Sequence, residues 1–550
     1  MTDAVADQST DPLAGTNPDM NEAAVFEAVA DRIPDNPMLT MDGVDYTYRQ
    51  IDELANRMGH LLKAHGAEPL SHVALYMKNS AEHMAAIVAS MKIRVAGINV
   101  NYRYTPAELV YLFNDSQSVA VMVDAEFAET MAAAVPQLTS TRTILAVGGT
   151  PQVLADACAA AGLTLVDVDA ELPQQSAERG FEPARGDDHW IVYTGGTTGF
   201  PKGVQWTMSD YYYACLSGGN PYGDKRHSPQ EVADNVSPDG GFRVVISAPL
   251  MHGAGLFTLL TFVNMGGHLI LFRDFDPEVI VDATAEHKAG LLMFVGDGMA
   301  VPITDALLEA KKTKDFSSMF MVASGGGIWS KSSRDRLHEE FPNVIIRDNF
   351  GASETGNDGE LNLNEDGEMV LAPTPRLGLI DESNQPVAPG SDVVGYIVRR
   401  GHVPLGYWND PEKTAKTFPV VDGQRVAVLG DMGRIREDGS IVFLGRGSGC
   451  INTGGEKVFP EEVEQALKAH PAVHDALVAG APDPRFGQKV AAVVSFREGT
   501  SAEPEELSAF LRESLANYKV PKVIVVVPEI RRSPAGKADY KWAKEQISTK

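Results

Sequence analysis

The sequence predicts an α/β protein in two parts, a large unit built on a parallel or mixed sheet covered by helices and a smaller α+β unit behind it. Helical periodicity and β-branched runs alternate through most of the chain, the pattern of strands that return to one sheet through crossover helices. The chain has 550 residues, 44% of them hydrophobic and 22% charged, which by length suggests about three or four compact units with a substantial core. Near Gly445 the tempo changes, and a tail of roughly 100 residues follows that is long enough to form a domain of its own.

Taken in order, Tyr48 to Ala64 reads as an amphipathic helix, His72 to Tyr76 and Ala120 to Val123 as short strands, and Ser80 to Met91 as the helix between them. Farther on, Arg243 to Ser247, His268 to Phe272 and Val344 to Arg347 are strand candidates, while Asp276 to His287 and Lys331 to Phe341 are helical. The Asp438-Gly439 pair between Arg434-Ile-Arg436 and Ile441-Val-Phe-Leu444 is a hairpin signal. In the tail, helices are expected at Pro460 to Ala469 and Ala502 to Leu515, with strands at Ala476 to Val478, Lys489 to Ser495 and Val523 to Val527. No repeat with a period of roughly 20 to 50 residues is present, so a solenoid or propeller is not supported.

Charge and composition exclude several functions. The 47 Lys and Arg against 74 Asp and Glu leave a net charge of −27, which repels a nucleic-acid backbone. A local positive pocket for a small phosphate ligand remains compatible with that total, because exposed charges are screened beyond roughly 8 Å. Only Cys158, Cys215 and Cys450 are present, without a CxxC pair or a metal-finger His cluster. The N-terminus is acidic and polar, unlike a signal peptide, and the most apolar long segment, Gly255 to Phe272, is interrupted by Asn264, Gly266, Gly267 and His268. A cytoplasmic protein without a transmembrane segment is the expectation; homo-oligomerisation is left open.

The most informative stretch is Tyr193-Thr-Gly-Gly-Thr-Thr-Gly-Phe-Pro-Lys-Gly-Val204. Four glycines let the backbone approach a ligand, three threonines add hydroxyl donors and Lys202 adds a cation, a set that suits a phosphate chain. It is not a Walker loop, since Lys202 follows Pro201 and no GK[ST] is present. A plain glycine-rich turn after a strand ending near Tyr193 is the bland alternative. In Gly351-Ala-Ser353, Thr355 stands where a hydrolase elbow needs its second glycine, so a serine hydrolase is disfavoured.

With these residues the chain resembles the adenylate-forming superfamily of acyl-CoA synthetases, firefly luciferase and peptide-synthetase adenylation domains, over about Phe26 to Lys544. The resemblance implies that Thr194, Gly195, Gly196, Thr197, Thr198, Gly199 and Lys202 form the phosphate loop, with Gly195 in place of a common serine. It implies that Asn349-Phe-Gly-Ala-Ser-Glu-Thr355 is the adenylate motif. There Asn349, Phe350 and Gly351 meet the adenine, Ser353 contacts phosphate and Glu354 binds Mg²⁺. Ser324, Gly325 and Gly326 would pass along adenine and the acyl group, and Asp431 would hold the ribose hydroxyls. Arg446 opens a hinge whose usual Lys-Asp is Ser448-Gly449 here, so Gly447 and Gly449 would absorb the turn. Gly454 and Gly455 would line the pantetheine channel, and Lys537, in Arg532-Ser-Pro-Ala-Gly-Lys537, would face the carboxylate and α-phosphate during adenylation.

For the acid, the resemblance points to His252, Asp297, Met299 and Gly326, although His252 reads equally as a hydrogen-bonded structural histidine. The stretches Thr194 to Phe200, Arg446-Gly-Ser448 and Lys541-Trp-Ala-Lys544 are similar to an actinobacterial branch that activates steroid side-chain and other bulky acids. The expected protein is therefore an ATP-, Mg²⁺- and CoA-using acyl-CoA ligase of fatty-acid or steroid metabolism, with Lys537, Lys202 and Glu354 as catalytic residues. Its organisation would be a polar segment 1–21, an adenylate-forming domain 22–445, a hinge 446–449 and a mobile C-terminal domain 450–550. An adenylating module that loads a carrier protein shares the first half-reaction; the lack of a carrier domain favours CoA. A non-catalytic nucleotide or acyl binder is the third reading.

Overall fold

The computed structural model describes residues 16–549 other than 195–200, 328, 365–367, 454–455, 484, 486 and 533–537. Near the N-terminus an all-parallel sheet runs Ala96–Asn99, His72–Tyr76, Ala120–Asp124, Thr143–Val147, Thr164–Asp167 in spatial order. Such a sheet needs helices on its faces, and His72–Tyr76 and Ala120–Asp124 are buried throughout. The helix Tyr48–Ala64 has the expected bounds because Thr47 and Gln50 form a reciprocal capping box at its start.

A second sheet has thirteen strands among the described residues. From the edge strand Val44–Thr47, which is antiparallel to its neighbour, the parallel half runs Pro37–Met41, His268–Leu271, Arg243–Ile246, Leu291–Phe294, Met321–Gly325 and Ile345–Ala352. From there it continues antiparallel through Gly356–Leu363, Met369–Leu371, Ile441–Arg446, Ala427–Ile435, Gly395–Arg399 and Leu377–Ile380. The apolar segment 255–272 resolves into the helix Gly253–Asn264 and the strand His268–Leu271, turned at Gly266 with φ +72°.

The C-terminal unit is a separate α+β sheet with its own two cores. Along Val473–Asp483 and Gly487–Phe496 the side chains alternate. Val478, Val490 and Val494 meet the helices Pro460–Lys468 and Pro504–Arg512, whereas Leu477, Ala491 and Val493 meet the helix Tyr540–Ser548.

Three features differ from the sequence reading. The strand expected to stop at Arg347 runs to Ala352, because Asn349 to Ala352 pair with Gly356 to Glu360 of the next strand. The helix Tyr540–Ser548 was not anticipated. Part of the stretch expected to be a polar N-terminal segment packs onto the fold: Met20 and Asn21 are buried, and the Gly186 amide donates to the Pro18 carbonyl at 2.8 Å.

Candidate active site

A cleft of about 1570 Å³ opens where the C-terminal ends of the parallel strands meet the antiparallel strands and the C-terminal unit. It lies where parallel α/β sheets usually bind ligands. Thr194 ends the strand His189–Thr194 and pairs with Lys202 at the start of Lys202–Thr207, so both ends of the phosphate-loop motif face the cleft. Gly195, Gly196, Thr197, Thr198 and Gly199 lie outside the described residues. Gly406–Tyr407 pairs with Lys202–Thr207 and brings Tyr407 beside Lys202, with the ammonium 5.7 Å from the ring centroid. Lys202 also donates to Asp410, the N-cap of the helix Pro411–Thr417, and this bond holds the Asp410 carboxyl below its usual range.

The strand Ile345–Ala352 delivers the adenylate motif. Gly351 tolerates no side chain, since a Cβ there would lie 2.0 Å from the Gly356 carbonyl oxygen. Phe350 packs edge-on against Phe443 at 5.4 Å, and both line the cleft. The Asn349 amide donates to the Ser324 carbonyl at 3.1 Å, while Gly325 and Gly326 form the wall beside it. Glu354 follows in the turn and accepts a 2.8 Å bond from the Tyr407 hydroxyl. Burial, and then the nearby Glu354, push the Tyr407 phenol upward, so it remains a donor. Asp431 lies on Ala427–Ile435 opposite Arg446, after Gly430 at φ +90°, and also lines the cleft. Asp348, buried between Arg347 and Asn349, is pushed up to about 7 by desolvation, against the Arg334 guanidinium 3.7 Å away.

From this floor a tunnel descends between a sheet face and a helix. Register stacks its sheet wall in layers: Gly325 and Asn349 above, Met293, Ala323 and Arg347 below them, Leu291 and Met321 deepest. Alternate residues share a face, so each layer descends roughly 7 Å and the wall is roughly 13 Å deep. Opposite, Ala254, Phe257, Thr258, Thr261 and Phe262 form one stripe of Gly253–Asn264, which at about 1.5 Å per residue covers about 12 Å. Arg347 joins Glu360 at 2.9 Å and lies 5.1 Å from the Tyr222 ring, while the Tyr222 hydroxyl reaches the Met321 sulfur at 3.6 Å. The combination is a polar nucleotide-sized mouth joined to a deep, mainly apolar channel.

Residues 26–408 match the model of the AMP-binding enzyme family, and residues 462–537 match that of the AMP-binding enzyme C-terminal domain. The chain belongs to the AMP-binding enzyme family. Among its relatives, a 3-oxocholest-4-en-26-oate–CoA ligase of Rhodococcus rhodochrous is 39% identical over 96% of each chain. A medium/long-chain-fatty-acid–CoA/3-oxocholest-4-en-26-oate–CoA ligase of Mycolicibacterium smegmatis is 41% identical over 96% of each. The anthranilate CoA ligase AuaEII, solved with anthranoyl-AMP, shares the fold at a TM-score of 0.82 and 20% identity over 96% of this chain and 98% of that one.

In this AMP-binding enzyme three expected contact residues stand away from the cleft. Ser324 is fully buried, and its hydroxyl accepts from the Gly296 amide at 3.0 Å. Asp297 and Met299, expected against the acid, are buried on the helix Gly296–Ala310 outside the cleft lining. Asp297 instead binds Ser330 and Lys468, and Met299 lies 3.8 Å from the Ser247 hydroxyl. For Asp297 and Met299 the physical reason is helix geometry, since successive helical side chains point about 100° apart and a helix that starts beside the cleft turns most of its residues away from it. Ser324 is on a strand whose alternate residues Ala323 and Gly325 face the cleft, so its own side chain faces away. His252 lines the cleft as the residue preceding Gly253–Asn264. Lys537, Gly454 and Gly455 are outside the described residues, and the backbone at Arg446 ends Ile441–Arg446.

The sequence reading assigned no chemistry to Tyr407 and Asp410. The signal available was Trp408, Asn409 and a helix beginning near Asp410, a segment similar to one that recurs in the family, whereas the contacts with Glu354 and Lys202 need strand pairing. Among the described residues no group of three or more His, Cys, Asp or Glu could enclose a metal. A single carboxylate such as Glu354, oriented by Tyr407, fits Mg²⁺ held mainly by substrate phosphates and water, which is how that ion is commonly bound.

Proposed function

We propose that this protein is an ATP-dependent acyl-CoA ligase for bulky, largely apolar carboxylic acids. The observation that carries the reading is the deep channel that leaves the nucleotide-sized mouth between Gly253–Asn264 and the strands Leu291–Phe294, Met321–Gly325 and Ile345–Ala352. A carboxylate at the mouth attacks the α-phosphorus of ATP, forming a C–O–P linkage and expelling pyrophosphate. The CoA thiolate then attacks the acyl carbon and AMP leaves.

No protein nucleophile is required, so this chain contributes position and charge. In this reading Phe350 stacks on adenine, Asp431 accepts from the ribose hydroxyls, and Lys202 exchanges its Asp410 partner for phosphate oxygens. Lys537 neutralises the charge developing between carboxylate and α-phosphate, and Glu354, held by Tyr407, is the residue that would hold Mg²⁺. The ion, when bound, supplies charge neutralisation on the phosphates. The C-terminal unit then turns about residues 446–449 so that the segment around Gly454 and Gly455 admits CoA.

No helix among the described residues is long and apolar enough to cross a membrane, and a cytoplasmic site of action belongs to the same reading. Acids long enough to reach Met321 are the expected class, steroid side-chain acids above acetate, and both relatives named above are 3-oxocholest-4-en-26-oate–CoA ligases. The test is a panel of acids from acetate through palmitate to a 3-oxo steroid side-chain acid, with pyrophosphate release and acyl-CoA both measured. Acetate as the best substrate overturns the bulky-acid assignment. Acyl transfer only to a carrier protein overturns the ligase assignment.

A further inference from the structure

The C-terminal unit is joined to the large unit by a buried chain of four charges. Asp297 Oδ1 accepts from the Ser330 amide at 2.9 Å and its hydroxyl at 3.0 Å, and Asp297 Oδ2 accepts from Lys468 Nζ at 3.0 Å. Lys468, the last residue of Pro460–Lys468 and only 5% exposed, also lies 3.3 Å from Asp475. Asp475 in turn clamps the Arg532 guanidinium through two bonds of 2.7 and 2.8 Å. One turn back on the same helix, Gln465 accepts from the Lys331 amide of the large unit at 3.1 Å.

Burial alone would push the Lys468 ammonium down, but Asp297 and Asp475 hold it above its usual range. Burial would likewise raise Asp475, yet Lys468 and Arg532 hold it well below the usual carboxylate range. Dividing the chain between Asp297 and Lys468 takes a buried carboxylate from its ammonium partner, and each must then be solvated separately. The intact arrangement is one in which Lys468, Arg532, Ala538, Tyr540, Lys541 and Lys544 of the C-terminal unit line the cleft. Arg532 stands five positions before Lys537 in the chain.

We infer that the Asp297–Lys468 pair is the latch that registers the C-terminal unit over the cleft for adenylation, which makes Asp297 a positioning residue and not an acid-binding one. The inference rests on the two-step ligase reading above. Breaking the pair frees the C-terminal unit to leave the adenylation arrangement, so it slows the first half-reaction and leaves the second unaffected or faster. The Asp297 side of the pair is outside the cleft lining, so breaking it there leaves the KM for the acid alone, whereas Lys468 itself lines the cleft.

The full-length protein is compared with Asp297→Asn, Lys468→Met and the double variant. Pyrophosphate release from acid and ATP reports the first step, acyl-CoA formation from synthetic acyl-AMP reports the second, and hydrogen exchange of Pro460–Lys468 reports docking without turnover. Each single variant should lower the adenylation kcat about tenfold or more and speed exchange in that helix, with the acid KM unchanged in Asp297→Asn, whose residue is outside the cleft lining. The double variant, which removes both charges of the pair together, should recover part of the loss. Unaltered exchange in both single variants overturns the latch, and so does a raised acid KM with intact kcat in Asp297→Asn or an equal loss in both half-reactions. A wild type that releases no pyrophosphate with any acid overturns the ligase reading instead, and the exchange comparison still decides whether the pair docks the two units.

Discussion

Glu22 offers a sharp quantitative test, because it is a fully buried carboxyl at the edge of the acyl channel's supporting layer. It begins the helix Glu22–Arg32, and its Oε2 accepts from the Asn264 amide at 3.1 Å. Asn264 is the last residue of Gly253–Asn264, so this contact anchors the helix that walls the channel. Neither Glu22 Oε1 nor Asn264 Oδ1 has a hydrogen-bond partner among the described residues, and two buried oxygens without a donor favour a protonated acid. Desolvation pushes the Glu22 carboxyl up from 4.5 to about 8, against a smaller opposing effect of Asn264. A folded-state value above the unfolded one means stability is fully present below about pH 4.5 and is lost as pH rises through about 8. The 3.5-unit difference between those two values, at about 1.36 kcal/mol per unit, is on the order of 5 kcal/mol. Glu22→Gln keeps the shape and supplies an N–H at every pH, which removes this dependence. Urea unfolding of the large unit at pH 5, 7 and 8.5 should show the variant matching the wild type at pH 5 and exceeding it progressively at higher pH. A stability difference that stays constant to within about 1 kcal/mol across that window would refute the argument that burial keeps Glu22 protonated.

Three further outcomes follow from the site. Lys537→Ala should lower adenylation by about 10² to 10³ while conversion of supplied acyl-AMP to acyl-CoA stays near wild type; equal damage to both steps in a folded variant contradicts its role. Glu354→Gln retains an oxygen for the Tyr407 hydroxyl, so its melting transition should hold while adenylation falls about tenfold or more and the Mg²⁺ needed for half-maximal rate rises. Ala323→Phe blocks the middle layer of the channel, so kcat/KM for a steroid side-chain acid should fall about a hundredfold or more while a short acid is little changed. Parallel losses for both acids would remove Ala323 from the channel wall.

What the sequence by itself determined is local. Tyr48–Ala64 and His72–Tyr76 were legible because capping and hydrophobic period act between residues a few positions apart. The ordered glycine, threonine and acidic motifs identified the family for the same reason, since a backbone that must approach phosphate needs glycine wherever the chain leads next. The extension of the motif strand to Ala352 was not legible, because it depends on a partner strand and on Gly351 lying against the Gly356 carbonyl. Nor were the tasks of Tyr407 and Asp410, which reach Glu354 and Lys202 only through pairing of Gly406–Tyr407 with a strand some 200 positions earlier. Asp297 illustrates the limit most clearly. Its place at the start of a helix beside the acyl region was readable, but its partner, Lys468, lies 171 positions away in another domain. Whether a buried carboxylate meets a ligand or a lysine is decided by which charge the folded chain brings within about 3 Å, because an unpaired buried charge is too costly to keep, and no local pattern encodes that meeting.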